Sequence, residues 1–239
     1  IYNSNPGYQD TYLAKFDKDG NNKWIKSIGG TGNDVGNTLA VDKNNNIVIG
    51  GYFTSNVLNI GGNQLVNYNN GTQDMFLASY SETGMLISAN KYGGMGNETV
   101  QSIETNSKGE IIIGGSFSSS SLAMDNFSVN NMNTSYENFF LAKLTNDLTT
   151  KWIKSPDSST NSLCIDTLGS IYVTGYFQSN QLLIGSSLLQ NSYPSNRESF
   201  IAKYDSTGLS IWATSINSTG TDYGKNICCD SYGNVYVTG

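Results

Sequence analysis

The stretch DVGNTLAVDKNNNIVIGGYF (34–53), followed by DMFLASYSETG (74–84), decides how this chain folds. Apolar residues alternate with polar ones through 38–42, 47–53, 75–80 and 85–92, the two-residue period of strands, and no helical period of useful length runs through the chain. Between the runs stand DKNNN and YSETGM. In such stretches Asp caps backbone N–H groups while Asn or Gly accepts a left-handed conformation, which makes tight hairpins. Four strands joined this way form an antiparallel meander.

The same unit recurs on either side. DTYLAKFDKDG (10–20), NFFLAKLTNDL (138–148) and ESFIAKYDSTG (198–208) copy the second stretch, and the shared alanines Ala14, Ala78, Ala142 and Ala202 lie 64, 64 and 60 residues apart. QSIETNSKGEIIIGGSF (101–117), NSLCIDTLGSIYVTGYF (161–177) and KNICCDSYGNVYVTG (225–239) copy the first. The shorter step arises between Trp152 and Leu163, where the chain is four residues shorter than between Trp24 and Leu39. A fixed period of strand content marks a repeat architecture, and four-stranded meanders repeated about an axis are the blades of a β-propeller. The expected fold is therefore all-β, a propeller with about four repeats of 60–64 residues. On this register the chain is one region, 1–239: a half blade at 1–30, blades at 34–94, 98–156 and 158–216, and a complementary half blade at 222–239. It opens on Ile1 and closes within a strand pattern at Gly239, which leads us to expect a piece of a longer protein and of a larger ring.

Four further patterns repeat with the unit. Leu58, Ile60 and Leu65 match Leu122, Met124 and Val129, and then Leu182, Ile184 and Leu189, which predicts an extra hairpin between the second and third strands. Gly50-Gly51 and Gly114-Gly115, replaced by Thr174-Gly175 and Thr238-Gly239, fall inside the second strand. Glycine weakens a strand, so its recurrence there predicts close approach of a neighbouring backbone or blade. Trp24, Trp152 and Trp212 recur on the fourth strand, with Ser88 in one unit, a pattern that reads as packing between blades. Cys164 and Cys228 share a repeat position and Cys229 follows directly. An odd count without ligand spacing reads as buried free thiols, with no disulfide framework and no zinc site.

GNDVGNTLAVDKNNNIVIGGYF (32–53), followed after a variable stretch by DMFLASYSETG, resembles the bacterial β-propeller repeat often called SBBP, and the resemblance covers essentially the whole chain. It implies secreted or surface-attached bacterial proteins, usually multidomain and mostly without known enzymatic activity, and it supplies no catalytic motif. Two units depart from the pattern: Glu104-Thr105-Asn106 stands where others have Ala-Val-Asp, and Ser88 replaces a tryptophan.

Composition narrows the chemistry. With 13 basic and 19 acidic residues, a net charge of −6 and no basic cluster, nucleic acid is not an expected partner. No apolar run approaches the roughly 20 residues that span a bilayer, and no signal peptide opens the sequence, so a soluble chain is expected. The absence of histidine removes the commonest general base and the Ser-His-Asp and Cys-His arrangements. Paired carboxylates remain, and Asp34, Glu98 and Asp222 share one repeat position, where loop capping is the plainer reading. Asp17, Asp19 and Asn21 place oxygen donors alternately around Gly20 like a short calcium loop, without the bidentate acid that completes one; a plain turn is favoured, and no other cofactor is expected. The sequons at Asn70, Asn97, Asn126, Asn133 and Asn217 are no more than this Asn-, Ser- and Thr-rich composition supplies. The reading that results is a non-enzymatic extracellular module of a bacterial surface protein, serving adhesion, recognition or structural display through a protein or glycan ligand. The alternatives are a carbohydrate-active propeller enzyme using paired acids, and a self-assembling filament or sheath subunit built through exposed strand edges.

Overall fold

A computed structural model describes residues 3, 5–131, 137–156, 159–193 and 195–239; Ser158, where one expected unit begins, and the sequon at Asn133 lie outside these residues. Every regular element among them is a strand, and all the strand pairs are antiparallel. Among the described residues no helix is long and apolar enough to cross a membrane, which says nothing about crossing by strands.

The N-terminal hairpin joins β1 (Thr11–Phe16) to β2 (Asn22–Gly29). Sheet one consists of β3 (Asp34–Val41), β4 (Ile47–Phe53), β7 (Asp74–Tyr80) and β8 (Leu86–Tyr92), in that order, with an outer hairpin of β5 (Val57–Ile60) and β6 (Asn63–Val66) between its second and third strands. Sheet two repeats this with β9 (Glu98–Thr105), β10 (Ile111–Phe117), β13 (Asn138–Leu144) and β14 (Thr150–Lys154), and its outer hairpin is β11 (Ser121–Met124) with β12 (Phe127–Asn130). Sheet three has β15 (Ser159–Ile165), β16 (Ile171–Phe177), β19 (Glu198–Tyr204) and β20 (Ser210–Ile216), with β17 (Gln181–Ile184) and β18 (Ser187–Gln190) as its hairpin. A C-terminal hairpin of β21 (Asn226–Cys229) and β22 (Val235–Thr238) follows. The extra hairpin expected from the leucine pattern is thus present in each unit. The first strand starts at Asp34, four residues earlier than alternation suggests, because a bulge between Gly36 and Thr38 lets pairing with β4 continue through the break in the pattern.

Successive sheets pack face to face, and alternation decides which neighbour each residue meets. Phe76, Ala78 and Tyr80 of β7 pack with Leu13 and Ile28 of the N-terminal hairpin, while Met75 and Leu77 pack with Val100 and Ile103 of sheet two. Full burial of each such large side chain is worth about 1.5–3 kcal/mol. The second-strand glycines mark the closest approach: a Cβ on Gly50 would stand 2.9 Å from Ile103 and 3.1 Å from Val100 of the next sheet. Leu58 and Ile60 of the first outer hairpin, and Leu182 and Ile184 of the third, are buried beneath it.

Candidate functional site: a groove beside the third outer hairpin

The calcium-like residues Asp17, Asp19 and Asn21 form the β1–β2 turn. Asp17 Oδ1 accepts the N–H groups of Asp19 at 3.0 Å and Asn21 at 2.9 Å, and Oδ2 lies 2.9 Å from Lys23 Nζ. Hydrogen bonds from Lys23 and then Asn21 hold this carboxyl at about 2, while Asp19 pairs instead with Lys18. Side-chain oxygens of Asp42, Asn106, Asp166, Asp205 and Asp230 accept N–H groups at the same two offsets. The donor spacing that resembles a metal loop is therefore also the spacing that a hairpin turn imposes on its capping residue.

Asp34 and Glu98 open β3 and β9 and are fully buried. Ser55 Oγ donates to Asp34 at 2.6 Å, and the N–H groups of Gly94 and Ser119 donate to Glu98 at 2.8 and 3.3 Å, so each acid ties a strand start to surrounding loops. Burial pushes both carboxyls above their ordinary range. Each faces the charge of an acid from the preceding unit, Asp10 beside Asp34 and Asp74 beside Glu98, as Asp222 faces Glu198. Asp34, Asp74, Glu98 and Glu198 expose no surface, so a sugar bound to this molecule would not touch them. Of the cysteines, Cys164 is buried and Cys229 partly so, but Cys228 is exposed. The apolar strand pattern suggested burial for all three; Cys228 lies opposite exposed Tyr236 on the face of β21–β22 turned away from sheet three, while Ile227 and Cys229 face it.

The site that repeat patterning conceals lies where two units should be sewn together. In the first unit Ile60 and Asn59 pair with Ile28 and Gly29, so β5–β6 extends the N-terminal hairpin into a four-stranded sheet. In the third unit Pro156 stands where Ile28 stands, four residues after the tryptophan. Proline has no N–H to offer a ladder. There β17–β18 forms a sheet of its own, as β11–β12 does in the second unit, where Tyr92 holds the same place, and a groove of about 490 Å³ lies between β17–β18 and the end of β14. Lys154, Ser155, Pro156, Leu183, Tyr204 and Leu209 are among the residues that line it. The Ser155 and Tyr204 hydroxyls are buried without a hydrogen-bond partner among the described residues, and burial pushes the Tyr204 hydroxyl far above its ordinary value.

Leu183 and Leu188 stand opposite each other on the outward face of this hairpin and are 60% and 52% exposed. The same two places hold Asn59 and Gln64 in the first hairpin, and Ala123 and Ser128 in the second. An apolar wall with a few unpaired polar groups has the composition of a ligand site. Reading the sequence for motifs missed these residues; comparing the outward positions of the three hairpins, where only the third has leucines, is the signal that finds them.

No protein-family model matches the chain. It is similar to an uncharacterized WD repeat-containing protein of Acanthamoeba polyphaga mimivirus, with 23% identity over 262 residues that take in 91% of this chain and 19% of the viral protein. The chain thus spans about a fifth of that relative's length.

Proposed function

We propose that this chain is a non-enzymatic β-propeller module that binds other proteins, with each four-stranded sheet serving as a blade and the groove at Pro156 as the docking site. The observation that carries the reading is the outward leucine pair beside the groove: the second and third hairpins each form a sheet of their own, and only the third carries exposed leucines at the two outward places. Similarity to a WD repeat-containing protein supports the propeller and the protein-binding role. The SBBP-like repeat supports display outside a bacterial cell, as part of a larger surface protein.

Protein is favoured over glycan by the chemistry of the groove. Leu183 and Leu209 line it, Leu188 stands exposed opposite Leu183, and the Ser155 and Tyr204 hydroxyls lie buried in its lining without a partner among the described residues, a combination that suits an apolar side chain more than a sugar. The test is to probe protein and glycan arrays with the wild type and with Leu183→Asn/Leu188→Gln, which carries the residues of the first hairpin. Protein signals that disappear in the variant support the reading. Glycan signals, or protein signals identical in both, contradict it.

A further inference from the structure

The first strands of successive units meet in one register. The Ile103 N–H donates to Thr38 Oγ1 at 3.3 Å, the Leu163 N–H to Ser102 Oγ at 3.2 Å, and the Ile227 N–H to Ser162 Oγ at 3.4 Å. Side chains two residues further along a strand share its faces. Ala40 therefore comes against Thr105, Glu104 against Ile165, and Cys164 against Cys229. Thr105 keeps to this register, since its Oγ1 donates to the Val41 carbonyl at 2.9 Å. The same place in the repeat thus holds three different pairs, and in the last of them both partners are thiols.

The packing agrees. Leu163, on one face of β15, packs with Ile112 and Phe139 of sheet two, so Cys164 is turned the other way, toward β21. There Cys164, Tyr172 and Ile227 form a buried cluster, and Cys229 packs against it. The Cys164 thiol donates a hydrogen bond to Cys229 Sγ. Burial, and then this bond, pushes the Cys164 thiol far above its ordinary value; burial raises Cys229 too, but the bond it accepts acts in the opposite direction. Of the two, Cys229 gives up its proton more readily. It is also the more open, being partly exposed while Cys164 is buried. Thr105 and Ile165, in the same place on β9 and β15, are partly exposed as well, so access to this sulfur belongs to the position in the repeat.

We propose that Cys164 and Cys229 form an oxidation site that closes into a disulfide between sheet three and the β21–β22 hairpin. The oxidant is a small disulfide of the glutathione class. The Cys229 thiolate attacks one of its sulfurs, which makes a mixed disulfide and expels one thiolate. Cys164 then loses its proton and attacks Cys229 Sγ, expelling the second. Two protein thiols are oxidised, one small disulfide is reduced to two thiols, and the protons from the cysteines end on the leaving groups. Cys228, on the other face of β21, takes no part. The bond would replace a packing contact between two units by a covalent one and restrict the unfolded chain. It makes no use of the groove at Pro156 and stands or falls separately from it.

The experiment equilibrates the full chain and its Cys228→Ser variant, which keeps only the proposed pair, with mixtures of reduced and oxidised glutathione, in buffer and in urea. Remaining thiols are blocked by alkylation and the tryptic peptides weighed. In the folded variant both thiols should disappear without a glutathione adduct, and peptides 155–197 and 226–239 should appear joined. Wild type should give the same joined peptides, and Cys229→Ser, which keeps Cys228, should not. The folded variant should be half oxidised in a mixture about tenfold or more reducing than the chain in urea requires, because the fold holds the two sulfurs together. Oxidation should raise its melting temperature, and dithiothreitol should reverse the rise. Thiols that stay free in the folded variant or end only as glutathione adducts, the same half-oxidation point in urea, or joined peptides that persist in Cys229→Ser overturn the proposal.

Discussion

The first and third outer hairpins have the same inward face and differ in what holds them to the preceding unit. Leu58 and Ile60 are buried in one, Leu182 and Ile184 in the other. Yet β5 continues the ladder from β2 opposite Ile28, while β17 stands across a groove from β14, where Pro156 replaces that isoleucine. The difference teaches that the repeat constrains what points into the core and leaves the outward positions and the seam free to vary. The second hairpin also stands apart from the preceding unit, so what distinguishes the third is the proline and the two outward leucines.

The strongest way to test the shared half of the comparison is to hollow both hairpins. Leu58→Ala and Leu182→Ala should each cost about 2–5 kcal/mol in denaturant unfolding, the range for large-to-small changes in a packed core. A cost below about 1 kcal/mol at Leu182 would show that the third hairpin is not anchored as the first is.

The acids that follow the two hairpins sharpen the contrast. Asp74, after the first, accepts the Tyr68 N–H at 2.7 Å and has Lys91 Nζ at 3.4 Å, whereas Glu198, after the third, is fully buried and neither carboxylate oxygen has a hydrogen-bond partner among the described residues. Burial, and then the charge of Asp222, raises the Glu198 pKa. A raised carboxyl favours the protonated fold: its stabilisation is complete below the unfolded value of about 4.3 and is lost as pH climbs through the folded one. Glu198→Gln should therefore stabilise the protein at pH 7 and raise its melting temperature, because the amide fills the same space without a buried charge beside Asp222. At pH 3 the gain should vanish, and a gain that is independent of pH would show that ionisation is not its cause.

Restoring the seam is a smaller perturbation. Pro156→Ile should let the third hairpin pair as the first does, slowing amide exchange at Leu183 and Ile184 by about one hydrogen bond's worth, roughly 1 kcal/mol. Unchanged exchange would mean that the shorter connection before Leu163, and not the proline, holds the groove open. The mildest change is Leu183→Asn with Leu188→Gln, which should move stability by less than about 0.5 kcal/mol because both side chains point outward.

Much of this architecture was legible in the sequence, because strand alternation and turn residues are local signals. The four-strand units and the outer hairpins followed from Ile47, Leu58 and their copies. Pairing between units was not legible, since β2 and β5 belong to different repeats and no local pattern joins Ile28 to Ile60. Ser88, read alone, is a departure from the tryptophan pattern; the structure adds that Leu148, in the place of Gly84 and Gly208, is fully buried and that its carbonyl accepts from Asn90 and Tyr92 of the preceding sheet. The leucine pair was hidden for a different reason. In QLLIGSSLLQ (181–190) outward and inward leucines adjoin, so alternation is masked where the candidate site lies.

The measurement that tests the central claim most directly is a transplant. With residues 57–66 replaced by QLLIGSSLLQ, the first hairpin gains the outward leucines but remains bonded to β2. If the open seam and the leucine pair act together, array binding of this variant should match wild type spot for spot, with no second site created. Protein binding that doubles in stoichiometry on the transplant, or that survives Leu183→Asn/Leu188→Gln, would contradict the account.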